Sequence, residues 1–99
     1  MLGSVEPDMT LASEIRSLIE QCLHGDFGVT ELDRRLSVFV RRIGAAEDDE
    51  EARQLYGRAR MLGSERGYGH RTEEDAIGEL RQLLADVDAT YHSEAGARH

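Results

Sequence analysis

An all-α fold, a compact antiparallel four-helix bundle, is what this sequence predicts, on three observations. Apolar residues recur at steps of three and four in four separate segments, the spacing that lines one face of a helix. The core material is Leu, Ile, Val and Ala, with two Phe, three Tyr and no Trp among 99 residues. That supply suits helix-on-helix packing better than a sandwich of aromatic and β-branched strands. No segment alternates polar and apolar residues with period two over a strand's length. Short connections then set consecutive helices side by side and antiparallel. With 39% hydrophobic residues the chain can fill one core, for a stability of about 5–10 kcal/mol.

Residues 1–9, with Gly3, Ser4 and the only proline, Pro7, read as a disordered arm. The first helix begins at Thr10, whose hydroxyl can accept a free backbone N–H. Leu11, Ile15, Leu18, Ile19 and Cys22 follow at helical spacing, and Leu23 widens the face. Gly25 supplies the left-handed residue that ends a helix.

The second helix starts within Gly28–Thr30 and runs to Gly44. Val29, Leu32, Leu36, Phe39 and Ile43 make a heptad-like seam with Val40 beside it. Arg34, Arg35, Arg41 and Arg42 cover the outer side and suit the negative end of the helix dipole. The third helix opens in the acid run Glu47, Asp48, Asp49, Glu50, Glu51. Its stripe is Ala52, Leu55, Tyr56, Ala59 and Leu62, with Arg53, Arg58 and Arg60 outside. Gly57 lies inside this helix at a cost of about 1 kcal/mol relative to Ala. A close helix crossing would explain a glycine there, and so would a weak helix.

Residues 63–71 form the longest expected loop, with three glycines but neither the spacing nor the Lys-Ser/Thr ending of a phosphate-binding loop. The fourth helix starts at Thr72, with Asp75 three residues on as an approximate capping box. Ala76, Ile77, Leu80, Leu83, Leu84 and Val87 give the strongest apolar stripe, and Tyr91 extends it. Residues 92–99 read as a frayed tail, so the bundle domain spans 10–91.

Charge narrows the classes of function. Twenty acids oppose twelve basic residues, all of them Arg, for a formal net charge of −8. Nucleic acid is a poor partner for such a surface, because phosphate binding needs a basic footprint. A basic protein is the partner this field attracts. The acid excess also keeps a protein soluble with no partner at all. One cysteine allows no internal disulfide and fits a reducing cytoplasm. No stretch approaches the roughly 20 apolar residues of a membrane span, and no charged segment followed by an apolar run opens the chain.

Catalytic and metal chemistry find little to stand on. Glu20 and His24 are four residues apart, but a carboxylate-bridged metal pair needs a second copy and further inward acids. His24 reads as the end of the first helix. Cys22 lies on an apolar stripe and reads as a small core residue. Ser13, Ser17, Ser37 and Ser64 lack the context of an activated nucleophile. We expect no enzyme activity, no metal and no cofactor. The arginines of the second helix read as a solvated face with internal ion pairs; no aromatic residue is interleaved for base stacking.

The carboxylates remain. Glu47, Asp48, Asp49, Glu50 and Glu51 form one candidate partner-binding cluster, and Glu73, Glu74 and Asp75 a second. Each sits at a helix start, where acids contribute about 0.3–1 kcal/mol apiece. That suffices for two or three acids per helix. Five in a row repel one another, and a partner is the more economical reading of the longer run. In an antiparallel bundle the two clusters fall at opposite ends.

Across residues 11–88 the chain resembles the colicin-D-type bacterial immunity proteins. The most specific portion is Leu18-Ile19-Glu20-Gln21-Cys22-Leu23-His24-Gly25-Asp26-Phe27-Gly28-Val29-Thr30-Glu31-Leu32. It looks like the family's first helix, a Gly–acid–apolar turn, and the start of its second. The acid stretch into a third helix and the segment 72–84, acidic then leucine-rich, fit the same pattern. Aromatic residues are thinner here, with only Phe39 and Tyr56 in the second and third helices, and loop 63–71 is more basic. The resemblance implies a stoichiometric inhibitor that occludes the basic cleft of a nuclease toxin, its acids standing where RNA phosphates would bind. Glu47–Glu51 would be the first candidates and Glu73, Glu74 and Asp75 the second. The alternative is a helical adaptor or structural protein that forms a homodimer through an apolar face.

Overall fold

Thr10 opens the first helix as its hydroxyl suggests: Ser13 donates its backbone N–H to Thr10 Oγ1 at 3.1 Å. The computed structural model describes residues 10–92. The expected arm, 1–9, and residues 93–99 of the expected tail lie outside them, while His92 closes the last helix. Helix α1 is Leu11–Leu23, α2 is Val29–Leu36, α3 is Val40–Ala45, α4 is Glu50–Gly67 and α5 is Glu73–Tyr91. A single 3₁₀ turn, Ser37–Phe39, joins α2 to α3. No strand is present among the described residues. The α2–turn–α3 unit counts as one rod, giving four helices packed around a common core as the sequence predicts.

Contacts across the bundle fix its direction. Asp33 on α2 meets Arg60 on α4 at 2.7 Å, and Arg53 on α4 donates to the Ile43 carbonyl of α3 at 3.0 Å. Rising residue numbers on one rod thus meet falling numbers on the other. Arg16 near the start of α1 reaches Asp88 near the end of α5 at 2.8 Å, and Arg66 at the end of α4 reaches Glu73 at the start of α5. Each rod is therefore antiparallel to the next. Helix α4 is the hub, packing most extensively on α2, then on α5 and α1.

Ile15, Ile19, Leu32, Leu36, Leu55, Leu80 and Leu83 are the largest fully buried side chains, all drawn from the expected stripes. Cys22 sits among them, 1% exposed. Burial, with the Glu73 carboxylate adding to it, pushes its thiol up to about 11. Gly25, at φ 92°, turns the chain out of α1 as expected.

Three expectations about helix ends are corrected. The second helix is not continuous. Ser37 Oγ donates to the Arg34 carbonyl at 2.6 Å, and its backbone N–H goes to the carbonyls of Arg34 and Asp33. Such local back-bonding competes with the regular ladder and tightens it into a 3₁₀ turn. The seam residues Phe39 and Ile43 stay buried, but Val40 turns out to 56% exposure. Gly44 does not end this rod; α3 runs one residue further, to Ala45.

Helix α4 does not stop at Leu62. It runs through Gly63 to Gly67, so the loop shrinks to residues 68–72. The glycine that reads as a breaker is a packing residue. A Cβ at Gly63 would overlap Asp33 Cβ and come 2.9 Å from the Val29 carbonyl oxygen. The close crossing that Gly57 suggested occurs at Gly63, and the space beside Gly57 is open.

Candidate partner-binding site

The first acid cluster straddles the connection between α3 and α4. Its backbone is pinned on both sides. Ala46 donates its N–H to the Ile43 carbonyl at 3.2 Å, and Asp49 donates to the Ala46 carbonyl at 3.1 Å. Arg53, one turn into α4, spends its guanidinium on the Ile43 carbonyl. The nearest cation on this helix is thus tied to a backbone oxygen.

On that frame the five acids separate by role. Asp49 caps α4, accepting the Ala52 N–H at 3.1 Å. Glu51 lies 2.7 Å from the His92 Nε2, which ties the start of α4 to the end of α5. Glu50 stands in the first turn and favours the positive end of the helix dipole. Glu47 and Asp48 precede the cap. Glu47, Asp48 and Glu50 are exposed, and none is in an ion pair among the described residues. The surface here is an open depression lined by Ala45, Ala46, Glu47, Asp48 and Asp49.

The second cluster lies at the other end of the bundle, as the antiparallel arrangement requires. Thr72 caps α5, accepting the Asp75 N–H at 3.1 Å. Glu73 faces inward to other helices. Its Oε2 accepts the Val29 N–H at 3.0 Å, and its Oε1 meets Arg66 at 3.3 Å. Only Glu74 and Asp75 of this cluster are exposed without an ion pair among the described residues. The two clusters do not merge.

Two of these partnerships were not found by sequence reasoning, the His92 link to Glu51 and the Glu73 cap on α2. The second had a readable signal. Gly28 precedes α2 and offers no side-chain oxygen, so the first N–H groups of that helix need an acceptor from elsewhere. Replacing Glu73 by Ala should therefore cost about 1 kcal/mol, in the range of a lost N-terminal cap. Chemical denaturation measures it; an unchanged midpoint would mean that water caps α2 equally well.

The arginine side behaves mostly as a solvated face. Glu31 serves both Arg34 and Arg35, at 3.1 and 3.0 Å. Arg42 forms a two-pronged pair with Glu14 at 2.8 and 3.0 Å, and that hydrogen bond holds the Glu14 carboxyl below its ordinary range. Arg41 has no ion-pair partner among the described residues. No group of three His, Cys, Asp or Glu side chains among the described residues could hold a metal ion. Glu20 is paired with Arg16 at 3.3 Å, while His24 ends α1 and is exposed. None of the described helices is long and apolar enough to cross a membrane. No family model, no curated protein and no solved structure matches this chain.

Proposed function

We propose that the chain is an acidic inhibitor of the immunity type, which docks the α3–α4 connection into the basic cleft of a nuclease toxin. One observation carries this reading. Glu47 and Asp48 lie outside the helix cap, point to solvent and have no cation partner among the described residues. Capping and the helix dipole account for Asp49, Glu50 and Glu51, but not for these two. Repulsion among adjacent acids is relieved by a positively charged surface, and such a surface would meet a backbone already held in place. Glu50 completes a patch of three outward carboxylates. Glu74 and Asp75 are secondary candidates, and Glu73 is assigned a structural role.

The homodimer alternative has less support. Among the described residues the large apolar side chains left exposed are Val38, Val40, Met61 and Tyr68, which are spread over the turn, α3, α4 and the following loop. A dimer that shared its core would need a broader contiguous apolar face.

Co-expression tests the inhibitor reading. Cells producing a basic nuclease domain encoded beside this chain should survive when the chain is present. Survival should be lost with the variant Glu47→Gln, Asp48→Asn, Glu50→Gln. Equal protection by that variant would remove these carboxylates from the contact surface.

A further inference from the structure

The geometry points to a second docking surface, on the outer side of α2, the 3₁₀ turn and α3, for a protein segment that carries carboxylates around an apolar anchor. Leu18 of α1, with Val38 and Phe39 of the turn, forms an apolar groove of about 390 Å³, and Glu14, Ser17 and Arg35 complete its lining. Val38 is 74% exposed. Two positions from the buried Leu36, it lies about 200° round the helix from the seam and so faces away from the core.

The groove's lining holds one Glu and one Arg, and the exposed charge flanking it along the rod is opposite in sign to the chain. Arg34, Arg35, Arg41 and Arg42 face only Glu14 and Glu31 as paired acids, four positive against two negative. The chain as a whole carries −8. Two guanidinium groups also lie over aromatic rings. Arg35 lies over the Phe27 ring at 4.3 Å and Arg42 over the Phe39 ring at 5.3 Å. Both already hold an acid, Arg42 through its two terminal nitrogens on Glu14 and Arg35 through Nε on Glu31, so a docking carboxylate would share or displace these partners. Arg41 brings a further charge with no acid partner among the described residues.

The occupant follows from that pattern. A basic segment would meet like charge at the rim. A two-fold pairing of copies would press two net-positive faces together. An acidic segment meets the arginines, and an aliphatic or aromatic side chain within it fills the groove. The rim would set the rate of encounter and the apolar floor the residence time.

A fluorescein-labelled synthetic amphipathic peptide, leucines at helical spacing on one face and glutamates elsewhere, is the probe; its counterpart carries lysines. By fluorescence anisotropy the acidic peptide should bind, more weakly as salt rises, and the lysine peptide should not. Val38→Glu and Arg41→Glu, both at exposed positions, should each weaken binding about tenfold or more. The Glu47→Gln, Asp48→Asn, Glu50→Gln variant should bind the peptide as the native chain does, which separates this surface from the acid patch. No binding at millimolar peptide, or equal binding of both peptides, would overturn the proposal. So would tighter binding of a single-stranded RNA oligonucleotide, or a native dimer by light scattering that Val38→Glu converts to monomer.

Discussion

Gly63→Ala should lower stability by about 1–3 kcal/mol, the range for forcing an extra group into a packed site. This loss persists although alanine's helix propensity returns ~1 kcal/mol. The new methyl group would meet Asp33 Cβ and the Val29 carbonyl, both on the facing rod. Backbone cannot rotate away as a long side chain can. Asp33 is also held by Arg60, at 2.7 Å with both side chains half-buried, so its retreat would stretch that pair. Gly57→Ala is the matched control, on the same helix but facing open space. It should raise stability by up to about 1 kcal/mol. Urea denaturation of both variants reads the contrast. If the two substitutions moved the midpoint in the same direction, the close crossing at Gly63 would not exist.

Leu55→Ala should cost about 2–5 kcal/mol, the transfer energy of the lost methyl groups plus the cavity left behind. Leu55 is fully buried on α4, the helix that all the other rods contact. A side chain with no exposed surface, on the helix that packs against all the others, leaves little room for collapse, so the upper half of that range is expected. Against a total of about 5–10 kcal/mol, this one change would remove much of the stability. Met61→Ala on the exposed side of the same helix, where Met61 is 48% exposed, should shift stability by only ~0.5 kcal/mol. A Leu55→Ala loss as small as that of Met61→Ala would contradict the packing described here.

The fold was legible because its main signals are local. Thr10 and Thr72 announce their helices by the oxygen each can offer, and each accepts the expected N–H. The apolar stripes name their own buried residues because a helix repeats every 3.6 positions. What could not be read depends on the meeting of distant segments. A glycine looks the same whether it ends a helix, as Gly25 does, or admits a crossing rod, as Gly63 does. The back-bond from Ser37 to the Arg34 carbonyl, which breaks the rod before α3, was hidden behind an uninterrupted heptad seam. Within the acid clusters, sequence identified charge without identifying use. Glu73 and Glu51 find partners 44 and 41 residues away, and no spacing rule reaches that far. Glu47 and Asp48 stay outward, and their separation from the acids that serve the helix emerges only in three dimensions.

Stopped-flow association with the basic nuclease, at low and high salt, tests most directly whether this outward patch is the contact surface. The native chain should associate fast, with a rate that falls steeply as salt screens its carboxylates. The variant Glu47→Gln, Asp48→Asn, Glu50→Gln should associate about tenfold or more slowly and lose most of that salt dependence. Glu74→Gln with Asp75→Asn, at the far end of the bundle, should change the rate far less. A neutralised first patch that associates at the native rate, with the native salt dependence, would contradict the proposed role of Glu47, Asp48 and Glu50.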